Sequence, residues 1–427
     1  MLHDRSRYAR SIALDERARA VIPGGHHLSG RPLTGATSSP LYIQHARGCH
    51  VVDVDGHGYT DYLMAFGPYL LGYAHPDVDA AAHGSSHSGR LVSLNHPLHV
   101  EFVEALLACG YFPGAEMGAF FRTGSEATTA ALRIARRATG RRKVVRCGYH
   151  GWHDWCLPRE DFVPAGLDSQ VLELDANNPE SLTPILQENP DVAAVIVAPE
   201  MVLPFRPEKL HRIREITRGA GAIFIMDEVK TGLRIAPGSI CARIDLVPDI
   251  ITVSKALGNG WPVAAILGSR AALRYGDDMH YSATFHGDIG AIASAMKTLK
   301  LVEQTGAAAH VEAMGARLIG GLNQALVRNR LPGEAYGEPL PAMPFMRFRH
   351  PDASVNAALT REFCERALRR GELLHPRHMW FPSLAHDAAT IERTIAVADE
   401  VMSELARGPI QEATAVCVGS ESSAGSE

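Results

Sequence analysis

The sequence has no Cys-x-x-Cys pair, no apolar run near the ~18 residues of a membrane-spanning helix, and no basic excess. Each absence removes a class of function. Seven cysteines, at 49, 109, 147, 156, 241, 364 and 417, form an odd, unpatterned set in 427 residues. That argues for free thiols in a reducing compartment over a disulfide framework. Lysine and arginine total 42 against 47 acidic residues, a net charge of -5, which leaves no footprint for nucleic acid or an anionic membrane. The opening stretch MLHDRSRYARSIALDERARA is charged and lacks an apolar segment, so no signal peptide is expected. A cytoplasmic protein with small molecules or other chains as partners is the simplest expectation.

What is present is ordinary globular composition, 46% hydrophobic and 21% charged, enough for a large domain plus a smaller one. Three short, continuous apolar runs stand out: Asp191–Ala198, Ala222–Met226 and Ile250–Val253. Continuous rather than alternating runs of this length read as strands buried on both faces of a parallel sheet. A helical pattern over Pro207–Ala220 separates the first two, so the alternation predicts a doubly wound α/β domain. From about residue 291 the texture changes to helices over Ala291–Gln304 and Ala308–Asn329. A Pro/Gly-rich stretch, a strand over Phe345–Arg349 and a helix over Asn356–Arg370 follow. The expected layout is an irregular arm over 1–50, a large domain over 51–290, a smaller α+β domain over 291–407, and a disordered tail over 408–427.

Ligands in open α/β sheets bind beyond the carboxyl ends of the strands. Beyond these three strands come Glu200, Asp227 with Glu228, and Ser254 with Lys255. A carboxylate at the end of a buried strand is costly unless it meets a cation; a protonated pyridine nitrogen is such a cation, and a structural cap is the plainer alternative. Lys255, among small residues, has the surroundings that lower an amine's pKa and favour imine chemistry. Thr123-Gly124-Ser125-Glu126 opens a helix after an apolar strand, which suits either a phosphate cradle or an ordinary N-cap. Tyr149 and His150, in a glycine-flanked aromatic run, offer a surface that stacks on a planar ring. His150 and His153 have no third ligand at metal spacing, so no metal is expected.

In this order the motifs are specific. Phe121–Ala127, Tyr149-His150-Gly151, Asp227-Glu228-Val229 and Ser254–Gly258 resemble the class III aminotransferases, among the pyridoxal-phosphate (PLP) enzymes of fold type I. The branch containing glutamate-1-semialdehyde aminomutase is the most similar, through Pro23-Gly24-Gly25, Gly67-Pro68 and Ser383–His386, over about residues 18–405. The resemblance implies the fold type I architecture, a large domain with a mostly parallel sheet plus a smaller α+β domain, and a homodimer with shared active sites. It implies that Lys255 holds PLP as a Schiff base, Asp227 pairs with the pyridine nitrogen, and Val229 and Tyr149 pack on the ring faces. Gly124 and Ser125 hold the phosphate, His150 lies nearby, and Thr284 reaches the phosphate of the neighbouring subunit. Glu200 takes up a displaced cofactor contact, Arg31 meets a substrate carboxylate, and Phe66 and Trp380 line the substrate pocket.

Two departures bear on the reaction. The branch's Glu-Pro pair is here Ala198-Pro199, with Glu200 beyond the proline. The stretch Leu374–Ser383 is short and has no acidic residue. Both favour an aminotransferase, working by a ping-pong Schiff-base mechanism between an amino acid or amine and a keto or aldehyde acceptor. The alternative is an intramolecular aminomutase of the glutamate-1-semialdehyde type. A racemase or decarboxylase with the same cofactor is a third reading; a binding module that has lost the cofactor is a further one, which the presence of Lys255, Asp227 and Thr284 disfavours.

Overall fold

A computed structural model describes residues 6–26, 40–156, 170–277, 279–280 and 282–407 of the chain. Arg31 and the tail expected over 408–427 lie outside the described residues. Two compact units are present: Met1–Phe66 with Ala313–Gly337 and Pro341–Glu427, and Gly67–Glu312 with Glu338–Leu340.

In the first unit, helix α1 (Ala9–Val21) occupies part of the expected irregular arm. Strands β1 (Ile43–Arg47), β2 (His50–Asp53) and β3 (Gly58–Asp61) follow. Residues 51–61 therefore lie in this unit and not in the large one. The reason is a long-range pairing: β3 runs parallel to β13 (Glu372–Leu373), with Thr60 opposite Glu372, so the sheet order is β1-β2-β3-β13.

The second unit is built on seven strands: β4 (Met117–Phe121), β5 (Lys143–Cys147), β6 (Val171–Glu173), β7 (Val192–Val197), β8 (Ile223–Asp227), β9 (Ile250–Val253) and β10 (Ala264–Gly268). Their order is β4-β10-β9-β8-β7-β5-β6, with every pair from β9 to β6 parallel and β10 antiparallel to both neighbours. β7 is buried at every residue, as its unbroken Val-Ala-Ala-Val-Ile-Val run requires. Helices α2 (Pro76–Ser85), α3 (Pro97–Ala108), α4 (Gly124–Thr139), α5 (Leu182–Glu188), α6 (Pro207–Gly219), α7 (Ile240–Arg243), α8 (Arg270–Leu273) and α9 (Ile289–Thr305) complete the unit. α4 buries Ala127, Ala131, Ile134 and Ala135 against the sheet, where small side chains let helix and strands approach closely. It stops at Gly140, whose φ of 68° is the left-handed closure that favours glycine.

The first unit ends with α10 (Ala307–Arg328), the hairpin of β11 (Gly333–Gly337) and β12 (Pro344–Phe348), α11 (Ala353–Arg369), β13 and α12 (Ala388–Arg407). Its core joins Tyr62, Leu318, Leu322, Phe363 and Trp380. Trp380 therefore corrects an expectation. It is 1% exposed, and its indole N–H donates to the His375 carbonyl at 2.9 Å, so it is a core residue of this unit and not a pocket lining.

The carboxylate of Glu228 ties the end of β8 to the start of α7. One oxygen accepts the N–H of Cys241 at 2.8 Å; the other accepts the N–H of Ile240 at 3.1 Å and the Thr231 hydroxyl. Burial pushes the Glu228 carboxyl up from its ordinary pKa, and these donors pull it back. Glu228→Ala leaves three buried donors without an acceptor. Urea unfolding should show a loss of roughly 2–4 kcal/mol; a loss under about 0.5 kcal/mol would mean that Glu228 does not hold this junction.

Candidate active site

The carboxyl ends of β7, β8 and β9 converge on one group of charged side chains. On β8 and β9, Asp227 and Thr252 are register partners. Lys255 comes three residues after Thr252, in a short 3-10 turn, with φ at +45°. A left-handed backbone at a lysine costs of order 1–2 kcal/mol and persists only where its surroundings fix it. They do so through Asn259, whose side chain accepts the N–H of Leu71 at 2.8 Å and donates to the Gly72 carbonyl at 3.0 Å. Burial first, and then the charge of Lys230, push the Lys255 amine down to about 7.

Asp227 is buried and fully engaged. One oxygen accepts the Thr252 hydroxyl at 2.8 Å and the Val229 N–H at 3.1 Å; the other is 2.7 Å from Nδ1 of His150. An ionised Asp227 requires Nδ1 to carry the proton and donate it. The His150 ring stacks on Trp155 at 6.0 Å, while its carbonyl accepts the Thr128 hydroxyl at 2.8 Å. His150 Nε2 is buried with no hydrogen-bond partner among the described residues.

The start of α4 faces the same region. Thr123, not Ser125, is the N-cap: it forms a capping box with Glu126, which leaves the Ser125 hydroxyl for other work. Ser125 Oγ accepts the Trp152 N–H at 3.3 Å. The loop of Gly148–Trp152 crosses so close that a Cβ at Gly151 would stand 2.3 Å from Ser125 Oγ, and Gly151 has φ of +114°. A Cβ at Gly124 would touch Val229 at 3.0 Å. Val229 therefore packs on the start of α4, and Tyr149 stands 62% exposed in the crossing loop.

Glu200, buried in the turn after β7, pairs with Lys230 at 2.7 Å. Lys230 Nζ also lies 5.8 Å from the centre of the Tyr149 ring. Sequence reading missed Lys230, as it missed Thr128, Thr252 and Arg234. Arg234 is wholly buried, donates to the Gly67 carbonyl at 3.0 Å, and is pushed down to about 9 by burial. Only the position of Lys230, just past a strand end as Lys255 is, hinted at it. Thr284 is exposed in a turn beside Phe285, which is 58% exposed. Phe66, in the other unit, packs edge-on against His378 at 5.2 Å. Among the described residues no group of three His, Cys, Asp or Glu is arranged to hold a metal, and no helix is long and apolar enough to cross a membrane.

A family model described as Aminotransferase class-III matches residues 34–379. The 3-aminobutyryl-CoA aminotransferase of Cloacimonas acidaminovorans (strain Evry) is 30% identical over 413 residues, 94% of this chain and 99% of that protein. A glutamate-1-semialdehyde 2,1-aminomutase of Chloroflexus aggregans is 33% identical over 436 residues, with 93% and 99% covered. Among solved structures, the FumI protein of Sphingopyxis sp. MTA144, in its PLP internal aldimine form, superposes with a TM-score of 0.86. It is 28% identical, with 93% of this chain and 97% of that one covered.

With its amine held at about 7 against the ordinary 10.5, Lys255 is about half unprotonated at neutral pH, where an ordinary lysine is below about one in a thousand. Trace acetylation of the cofactor-free protein from about pH 6 to pH 10, read by peptide mapping, should show Lys255 reacting with a midpoint near about 7. A midpoint shared with the other lysines would contradict the geometry described.

Proposed function

The chain belongs to the class III aminotransferases, and on that premise we propose that Lys255, Asp227 and the start of α4 hold pyridoxal phosphate for transfer of an amino group between two small molecules. The observation that carries this is the convergence of a lowered-pKa amine, a fully hydrogen-bonded carboxylate and a glycine-lined helix start at one sheet end. The donor set fits the cofactor: an amine for its aldehyde carbon, a carboxylate for its pyridine nitrogen, and helix N–H groups with the Ser125 hydroxyl for its phosphate. Bound there, pyridoxal phosphate takes up and gives back an amino group and draws electrons from the substrate carbon.

The side chains divide the remaining work. Asp227, held by Thr252, Val229 and His150, keeps its aim. Gly124 and Ser125 supply phosphate contacts, with His150 behind Asp227. Val229 and Tyr149 bound the planar ring on its two faces. Lys255 Nζ would be the base that lifts the proton from the substrate's amino-bearing carbon and hands it on. A lowered pKa suits that task, since a base already protonated at neutral pH removes nothing.

The donor is an amino acid or amine, and the acceptor a ketone or aldehyde. The relative named for 3-aminobutyryl-CoA puts donors with the amino group on the β-carbon of an acyl chain first among those to try. Transfer between two molecules is favoured over isomerisation within one. Glu200 is tied to Lys230, and Leu374–Ser383 carries histidines and no carboxylate. Arg31 and Phe66 remain the substrate-side residues.

The six described cysteines are free thiols, which supports a reducing, cytoplasmic setting. A homodimer in which Thr284 reaches the partner's phosphate fits the exposure of Thr284 and Phe285. Arg90, which bonds Asp288 at 2.8 Å, ties the neighbouring segment with exposed Leu91, Val92 and Leu94 to the same turn.

Two measurements test the reading. Lys255→Ala should keep the circular dichroism of the parent and lose turnover by about 10³-fold or more; an active variant sinks the assignment. With donor alone, the parent should release a keto product and keep the amino group on the cofactor, whereas an isomer with no keto product would establish the mutase. For the dimer, Phe285→Arg should give a monomer by sedimentation with sharply reduced turnover. A fully active monomer would remove Thr284 from the site.

A further inference from the structure

Beside Lys255 lies a second buried lysine with a carboxylate of its own. Lys230 follows β8 as Lys255 follows β9, and each stands three residues past the paired positions Asp227 and Thr252. Glu200 closes the group from the end of β7, on the other side of β8. The Lys230 and Glu200 side chains are 13% and 3% exposed, and their charged atoms are 2.7 Å apart. Glu200 holds Lys230 above its ordinary pKa against the effect of burial, which is the larger single influence and opposes the charge.

The pair is poorly explained as a fold device. A buried ion pair rarely outperforms apolar residues of the same volume. Nor is it a closed network: Glu200 Oε2 is buried with no hydrogen-bond partner among the described residues. Its placement, with Lys230 one strand and Glu200 two strands from Lys255, is what sets it apart.

We propose that Lys230 and Glu200 are opposed positioning residues for the Lys255 nitrogen: Lys230 disfavours a proton there, Glu200 favours one, and their ion pair holds the balance. The proposal rests on Lys255 being the cofactor lysine. The charged groups facing that nitrogen are Lys230, Glu200, Asp227 and Arg234, two cations and two carboxylates. With four charges in balance, removing one member of the pair leaves an unanswered charge of known sign, one strand spacing away for Lys230 or two for Glu200, about 5–10 Å. Across a partly screened interior, such a charge is worth about one pH unit or more at the neighbouring nitrogen.

The sign distinguishes this role from a structural one. The readout is the visible absorption band of the holoenzyme, titrated with pH, whose midpoint reports protonation at the Lys255 nitrogen. Lys230→Met should raise that midpoint by about one unit, and Glu200→Gln should lower it by a similar amount. The double variant should return to within about 0.3 of the parent, and Lys230→Arg, which restores the charge, should stay with the parent. If Lys230→Met does not fold, Lys230→Gln, which keeps a donor to Glu200, must show the same rise. Shifts of both single variants in the same direction, or no shift in either, overturn the proposal while leaving Lys255 as the cofactor lysine. A parent protein with no such band overturns the Lys255 assignment and the proposal together.

Discussion

A charge at the end of a strand buried on both faces has to be answered by another group, and this requirement shapes the whole sheet end. β7, β8 and β9 deliver Glu200, Asp227 and Lys255 to one place because continuous apolar runs stop there. None of the three is left to water. Asp227 draws in the hydroxyl of Thr252, the backbone of Val229 and the ring of His150. His150 in turn depends on Trp155 for its stacking partner and on Thr128 to fix its backbone. Glu200 draws in Lys230. The turn holding Lys255 at positive φ is fixed by Asn259, which bonds both Leu71 and Gly72. The site is one connected consequence of placing charges where the sheet ends.

Close packing is the second half of the arrangement. The start of α4, the loop of Gly148–Trp152 and the turn after β8 approach one another to within atomic contact; only glycine fits at Gly151, and a β-carbon at Gly124 would press on Val229. A β-carbon at either position would take the space beside Ser125 or Val229. The backbone N–H groups of the helix start are thereby offered to a ligand from a crowded, rigid surround. An anion bound there meets donors that do not have to reorganise.

The sheet-end residues were readable because each follows its strand directly. The runs over Asp191–Ala198, Ala222–Met226 and Ile250–Val253 lie within a residue or so of β7, β8 and β9, so local pattern sufficed to line up Glu200, Asp227 and Lys255. Helices α9 and α10 were readable for the same reason. What escaped depends on pairing across the chain. β10 reads as one more apolar run, and nothing local says that it inserts antiparallel between β4 and β9. The union of β3 with β13 moved residues 51–61 out of the expected large domain. Trp380, in a segment that departs from the family pattern, looked like a pocket wall because its core partners Tyr62 and Phe345 are distant in sequence. Lys230 was overlooked since a lysine in a turn is ordinarily solvated, and only the approach of Glu200 makes it buried and paired.

The two carboxylates of the site are treated differently, and the difference separates what is fixed from what is adjustable. Asp227 is held by three partners, which leaves little freedom to move. Glu200 pairs with a cation, Lys230, and its other oxygen has no hydrogen-bond partner among the described residues. A carboxylate with three fixed donors suits a permanent opposite charge such as a pyridinium nitrogen, whose position must not drift during turnover. A carboxylate held only by a lysine can shift its weight between that lysine and any other positive charge nearby, and Lys255 is the one at hand. In the role proposed for it, Lys255 would have to be neutral to attack and to take a proton, and protonated to give one back, so its surroundings could not bind either form too firmly. A rigid anion alone would hold the proton on, and a bare apolar wall would hold it off. The Lys230–Glu200 pair, one and two strands away, would supply a field between those limits.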